Sequence, residues 1–425
     1  MGVFIRYRFF LTILLFVTGG VPSGAAAQVV ESSALRLPEL VQEALLQNPE
    51  IQAAYARVDA AKLRIPQAGA LPNPSVMYEL NNIGITGISI GQADMSMTGV
   101  SFVQGIPYPG KRTLRTQVAT ASAAVDDAKA RVTKWAVVSQ LKIAYYDLAF
   151  AHRGLEIIDQ SRDVLRLVSQ TAEARYRVGI GLQQDILKAQ VELSRLAERR
   201  TRLQQRRQAL EAVINRVLAR PFGSPVGRPT EVARTSFSTS LDTLVALVER
   251  QGPLLQTRER DIHRQESGVA LARRDTYPDF DVSAGWLTRG RLPDMYQLKI
   301  GVDLPLYYRR KQRNRVAEAQ AMVTEAQAER EATRQALLSD LFESYTMAQA
   351  AHEQADLFEQ AIIPQATLSL QSAIAGYEVG KVDFLTVLDS ILSLLSDKLT
   401  GYERVVEYQQ ALIRLEPLIG ATLVE

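Results

Sequence analysis

The sequence has no cysteine in 425 residues and only three histidines, His152, His263 and His352, far apart along the chain. That excludes disulfides, thiolate sites and any cysteine for lipid attachment. Histidines this scattered do not form a metal cage, which needs several ligands converging. An excess of one charge is also missing: 49 Lys and Arg stand against 46 Asp and Glu, a net charge of +3. No strong pull toward nucleic acid or acidic surfaces is built in. Beyond the N-terminus no stretch approaches ~18 apolar residues free of charge, so a chain that enters a membrane must do so as β-strands. A nucleophile–base arrangement, a phosphate loop and a cofactor motif are all lacking. No enzyme, cofactor or metal site is expected.

What is present begins with "MGVFIRYRFFLTILLFVTGGVPSGAAAQ". Arg6 and Arg8 form a basic start, Phe9 to Val17 an apolar core, and Ala25 and Ala27 a small-residue cleavage pattern. Residues 1–27 are therefore expected to be an export signal, since a core this short falls below the ~20 residues of a membrane span.

The remainder is written twice. "ARYRVGIGLQQDIL" (174–187) returns as "AGYEVGKVDFLTVL" (375–388), with Tyr176, Val178 and Gly179 matching Tyr377, Val379 and Gly380 at a shift of 201. Pro49 matches Pro253 and Pro74 matches Pro278 at a shift of 204, so the second half has one connection three residues shorter. The expected organisation is a first repeat over 28–220, a Pro/Gly-rich linker over 221–238 and a second repeat over 239–425. A period this long excludes short-repeat solenoids.

Each half reads as helix, two strands and a long helical hairpin. Lys111 to Val178 recurs at helical spacing with Gly154 as its only breaker, ~100 Å of helix at 1.5 Å per residue. Arg310 to Val379 repeats it with Pro364 and Gly376 as breakers. The returning helix places Leu182, Ala189, Leu196, Leu203, Leu210 and Val217 every seven residues, a coiled-coil pattern that Arg200 and Arg207 interrupt. In the second copy Lys398 and Gln409 interrupt a similar register. Each Tyr-x-Val-Gly is then the bend of a hairpin, with glycine ending the helix. The arginines from Arg195 to Arg207 read as a solvated, ion-paired helix face rather than a nucleic-acid surface.

After Pro74 the period changes to two. Val76, Tyr78 and Leu80 alternate with Met77 and Glu79; Val100 and Phe102 alternate with Gly99 and Ser101. In the second half Phe280, Val282, Ala284 and Trp286, then Leu298, Ile300, Val302 and Leu304, alternate more cleanly. Residues 82–97 would be an external loop. Apolar-out, polar-in alternation of this length marks transmembrane barrel strands. Four strands cannot close a barrel, so they would be shared: a trimer gives 12 strands and a dimer 8. A soluble pair of hairpins capping a helical rod is the alternative.

Together, "ALLQNPEIQAA", "PNP" opening a strand, "GVSFVQGIPYPGKR" leading a hairpin into a long helix, and the two tips resemble the outer-membrane efflux channel family, the TolC-like proteins. The resemblance covers nearly the whole chain, and "QNPEI" and "PYPGKR" are similar to its heavy-metal branch. It implies a mainly α fold with β: a homotrimer with a 12-stranded transmembrane β-barrel, four strands per chain, continued by an α-helical coiled-coil tunnel into the periplasm. It implies outer-membrane localisation, contact with outer-membrane lipid, a periplasmic adaptor and an inner-membrane pump as partners, and no nucleic acid. The function implied is a passive exit duct, for heavy-metal cations by the branch. Drug efflux, type I secretion and a non-conducting periplasmic coiled-coil adaptor or spacer stay open. By resemblance, Val178, Gly179, Ile180 and Val379, Gly380, Lys381 would be adaptor-docking tips. Asp185, its partner Tyr377, and Asp389 would gate or select. At Val382 and Thr386 the chain departs from relatives that carry an arginine and an aspartate.

Overall fold

The computed structural model describes residues 35–82, 90, 92–230 and 232–424. The expected export signal and half of the 82–97 loop, residues 83–89 and 91, lie outside the described residues. The elements run in the order the duplication demands. The first half holds α1 (Leu37–Gln47), α2 (Pro49–Gly69), β1 (Ser75–Asn81), β2 (Met97–Ile106), α3 (Lys111–Arg177) and α4 (Gln183–Val217). The second holds α5 (Leu241–Gln251), α6 (Pro253–Arg274), β3 (Asp279–Arg289), β4 (Leu292–Asp303), α7 (Gln312–Leu357), α8 (Ile363–Glu378) and α9 (Phe384–Ile419). Element starts match at 204 up to β1 and β3 and at 201 from α3 and α7 onward, which puts the length difference in the hairpin and its exit.

Local chemistry explains the starts. Asn48 accepts from the backbone N–H of Glu50 and Ile51, ahead of Pro49 at the first helical position, and so caps α2. Ser240 caps α5 and Asp383 caps α9 in the same way.

One expected helix is interrupted. Between α7 and α8 the residues Phe358–Ile362 form a π-turn, in which the N–H of Ile363 reaches the carbonyl of Phe358. Pro364 is the reason: it lacks the N–H that would continue the ladder, and its ring needs the wider turn. Gly401 of α9 faces that bulge, where an added Cβ would stand 3.1 Å from Phe358.

The helices share two main cores. In one, Leu37, Leu40 and Ala44 of α1 meet Leu141 and Leu148 of α3, Ile214 of α4, Leu341 of α7 and Leu412 of α9. In the other, nearer the tips, Leu165 of α3 packs with Ala189 and Leu196 of α4 and with Val387, Ile391 and Leu395 of α9. The heptad interruption at Gln409 is a docking point. Its buried amide donates to Ala233 O (2.6 Å) and accepts from Thr235 (3.0 Å), so the segment after Arg220 is strapped onto α9. Arg200 leaves its seam to pair with Asp159 at 3.0 Å.

The strands form one antiparallel sheet, β1-β2-β3-β4. Val76 pairs with Phe102, Phe102 with Ala284, and Ala284 with Leu298, so the apolar positions of all four strands share one face. Met97, expected in the loop, begins β2 and is buried.

Candidate functional site

The two hairpin bends are built alike. At the first, Gly179 at φ 80° donates to Tyr176 O, and Ile180 donates back to Arg175 O, each at 3.0 Å. At the second, Gly380 at φ 76° donates to Tyr377 O (3.0 Å) and Lys381 to Gly376 O (2.8 Å). These are Schellman closures, in which a left-handed residue lets the last carbonyls of the helix find donors. Beyond them Val178, Ile180 and Val379 are exposed, as is Lys381. Three large apolar side chains on two neighbouring bends have no intrachain reason to be there.

The tips differ one turn back. Tyr176 is 45% exposed, whereas its counterpart Tyr377 is 5% exposed, edge-on to Phe384 at 6.1 Å. Arg175 accounts for the difference. Its guanidinium lies 4.7 Å from the Tyr377 ring centroid and donates to the Tyr377 carbonyl, joining the first hairpin to the second. Sequence reasoning missed this residue. The signal was a mismatch directly ahead of the repeated tyrosine: the counterpart of Arg175 is Gly376, and there an added Cβ would strike Val382 at 2.6 Å.

Asp185 stands in the first turn of α4, half-buried. Burial pushes its carboxyl above the ordinary range, and the nearby Asp383 carboxylate pushes the same way; Lys188 and Arg175 oppose them. Burial also raises the Tyr377 phenol, with Asp185 adding to the effect. Asp383 is held low by the hydroxyl and backbone N–H of Thr386, which both donate to it. The structure thus gathers Asp185, Tyr377, Arg175 and Asp383 into one charged cluster behind the tips. Asp389 is exposed in the second turn of α9, with no ion pair among the described residues, and stands outside that cluster.

The sheet has two unlike faces. Leu298 (72%) and Ile300 (71%) are exposed with Val76, Tyr78 and Phe102. On the opposite face Glu79 accepts from Ser101 (2.7 Å) and pairs with Lys299 (3.7 Å). The outer strands β1 and β4 each have one neighbour, leaving two rows of backbone groups without a ladder inside the chain. Among the described residues no helix is long and apolar enough to cross a membrane.

A family model described as "Outer membrane efflux protein" matches the chain twice, over residues 40–216 and 244–421. The cobalt-zinc-cadmium resistance protein CzcC of Cupriavidus metallidurans is 24% identical over 381 residues, covering 88% of this chain and 87% of that protein. The nickel and cobalt resistance protein CnrC of the same organism is 26% identical over 313 residues, covering 72% and 73%. Among solved structures, the outer-membrane channel OprN superposes with a TM-score of 0.78 at 17% identity, covering 91% of this chain and 90% of that one.

Proposed function

The chain belongs to the outer membrane efflux protein family, and on that premise we propose that three copies join their sheets into one 12-stranded barrel, continued by a helical tunnel, as an exit duct for heavy-metal cations. Membership makes it an outer-membrane efflux component that reaches into the periplasm, a duct rather than an enzyme.

The observation that carries the trimer is the open sheet with one apolar face. Unpaired edges are not tolerated in lipid, and β4 of one copy meeting β1 of the next removes both. Two copies would give a barrel filled by its own side chains, which suits no duct. Metal cargo is supported by the metal resistances for which CzcC and CnrC are named.

Transport energy comes from an inner-membrane pump. A periplasmic adaptor docks on Val178, Gly179, Ile180, Val379, Gly380 and Lys381. Asp185 and Tyr377 hold the tips closed, and three copies of Asp389 near the axis form a carboxylate ring that selects cations. The repeats over 28–220 and 239–425, joined by 221–238, are then the two pseudo-equivalent staves each protomer contributes.

Growth of a deletion strain on cobalt, zinc, cadmium and nickel salts, against a panel of drugs, tests the cargo. Sensitivity to drugs alone would reject the metal assignment. Asp389→Ala is expected to lower cation selectivity in planar bilayers, and an unchanged reversal potential would remove the ring.

A further inference from the structure

Past β4 the chain reads "LPLYYRRKQR", residues 304–313, and its chemistry changes in order. Leu304 and Leu306 extend the exposed apolar face of Ile300 and Val302. Tyr307 and Tyr308 follow, both exposed. Then come Arg309, Arg310, Lys311 and Arg313, all exposed. Acyl tails, the interfacial zone favoured by tyrosine and charged headgroups are met in that sequence on leaving a bilayer.

The first half shows what is missing here. After β2, Tyr108 stacks on Tyr277 at 4.7 Å with Arg274 over both rings. Lys111 pairs with Asp279 at 2.8 Å, and Arg112 donates to Gly69 O at 2.7 Å. Every cation named there has an intrachain partner. Among the described residues, the next basic residue, Arg315, reaches Asp275, but Arg309, Arg310, Lys311 and Arg313 meet no carboxylate. Closing the barrel brings up the β1 edge, and residues 60–78 hold Lys62 and Arg64 but neither Asp nor Glu.

We infer that this basic run binds the phosphate headgroups of anionic phospholipids in the periplasm-facing leaflet, an inference that rests on the barrel reading. The run joins the lipid-facing strand to α7, which continues into the helical body, and this fixes the leaflet. Guanidinium forks suit phosphate oxygens, and the adjoining tyrosines and leucines hold the acyl boundary.

Native mass spectrometry of the full-length protein in detergent, offered equal phosphatidylglycerol and phosphatidylethanolamine of matched chains, reads headgroup preference. The wild type is expected to retain the anionic lipid about tenfold over the zwitterionic one. The preference should collapse as ammonium acetate rises from about 0.1 to about 0.5 M. The variant R309Q/R310Q/K311Q/R313Q should lose it, while R195Q/R199Q/R202Q/R206Q on α4, matched in charge, should keep it. Equal retention by the wild type, a salt-insensitive preference, or a preference surviving in the run variant would each overturn the inference. The first two need no variant, so a run variant that fails to fold leaves the decision intact. A wild type that is not trimeric before lipid is added would instead sink the barrel reading.

Discussion

The guanidinium of Arg175 lies over the ring of Tyr377 and donates to its carbonyl, so the end of the first long helix grips the last turn of the second across 202 residues of sequence. That carbonyl is also the acceptor for Gly380, so one interaction steadies both the tyrosine and the bend behind it.

Arg175→Ala should therefore loosen the second tip far more than the first. A charged hydrogen bond of about 1.5–3 kcal/mol and a cation–π contact of about 0.5–1 kcal/mol are lost. Amide exchange over 374–386 should accelerate, with 172–182 little changed, and single-channel conductance should rise. Arg175→Lys should fall between, since lysine keeps the charge but not the planar stack. Equal exchange at both tips would contradict the latch.

Asp185 gives the cluster a pH dependence. Its carboxyl titrates above its ordinary value because of burial and Asp383, so ionisation works against the packed tip. The packed form binds more protons in the window just above the usual aspartate range, so closure is strongest below it and weakens as pH rises through it. Conductance of the wild type should increase as pH rises from the ordinary aspartate range to above it. Asp185→Asn should flatten that rise and leave the channel in its low-pH state. A profile unaltered by the substitution would assign the dependence elsewhere.

The balance between what was legible and what was not follows range. Helical spacing from Lys111 and strand alternation from Phe280 depend on neighbours a few residues away; α3 begins where its pattern begins, and β3 begins one residue ahead of its own. The π-turn was hidden because Pro364 signals a breaker without saying how the backbone absorbs it. Gln409 looked like a flaw in a heptad because its partners, Ala233 and Thr235, lie in a segment without periodicity. Arg175 and Tyr377 each sit in an ordinary helix end, and only the packing of the two hairpins makes them a pair. Asp389 is legible as an exposed carboxylate and nothing more, because any ring it forms involves other copies.

A buried ion pair illustrates the same point with a larger energy. Lys142 of α3 bonds both oxygens of Glu416 at 2.9 Å, and Glu416 also accepts from Leu423 and Val424 at 2.8 Å. Removing one charge strands the other in the core. Lys142→Ala should cost about 3–5 kcal/mol, lowering the thermal midpoint and freeing amides 421–424 to exchange. The double change Lys142→Met with Glu416→Leu should cost less than Lys142→Ala alone, because no lone charge remains. A double variant as costly as Lys142→Ala, or costlier, would refute that reading.

The sheet faces make opposite demands on substitution. Ile300→Arg puts a charge on the exposed apolar face and should cost about 2–4 kcal/mol if that face meets lipid. Gln297→Arg, three positions away on the other face, should be tolerated. Recovery of trimers from the outer-membrane fraction measures both. Equal recovery would mean that the apolar face is not immersed.

The two tip glycines separate docking from gating. An added Cβ at Gly179 meets nothing within 4 Å, so Gly179→Leu strains only the left-handed backbone, about 1–2 kcal/mol. At Gly380 the Cβ position is 3.4 Å from the Arg175 guanidinium, so a larger side chain there presses on the latch. Gly179→Leu should thus reduce cross-linking to the adaptor while conductance stays at the wild-type value. Gly380→Leu should reduce cross-linking and raise conductance together. If both variants capture adaptor as the wild type does, the exposed bends are not its docking surface. If both change conductance alike, Arg175 is not what links the second tip to the gate.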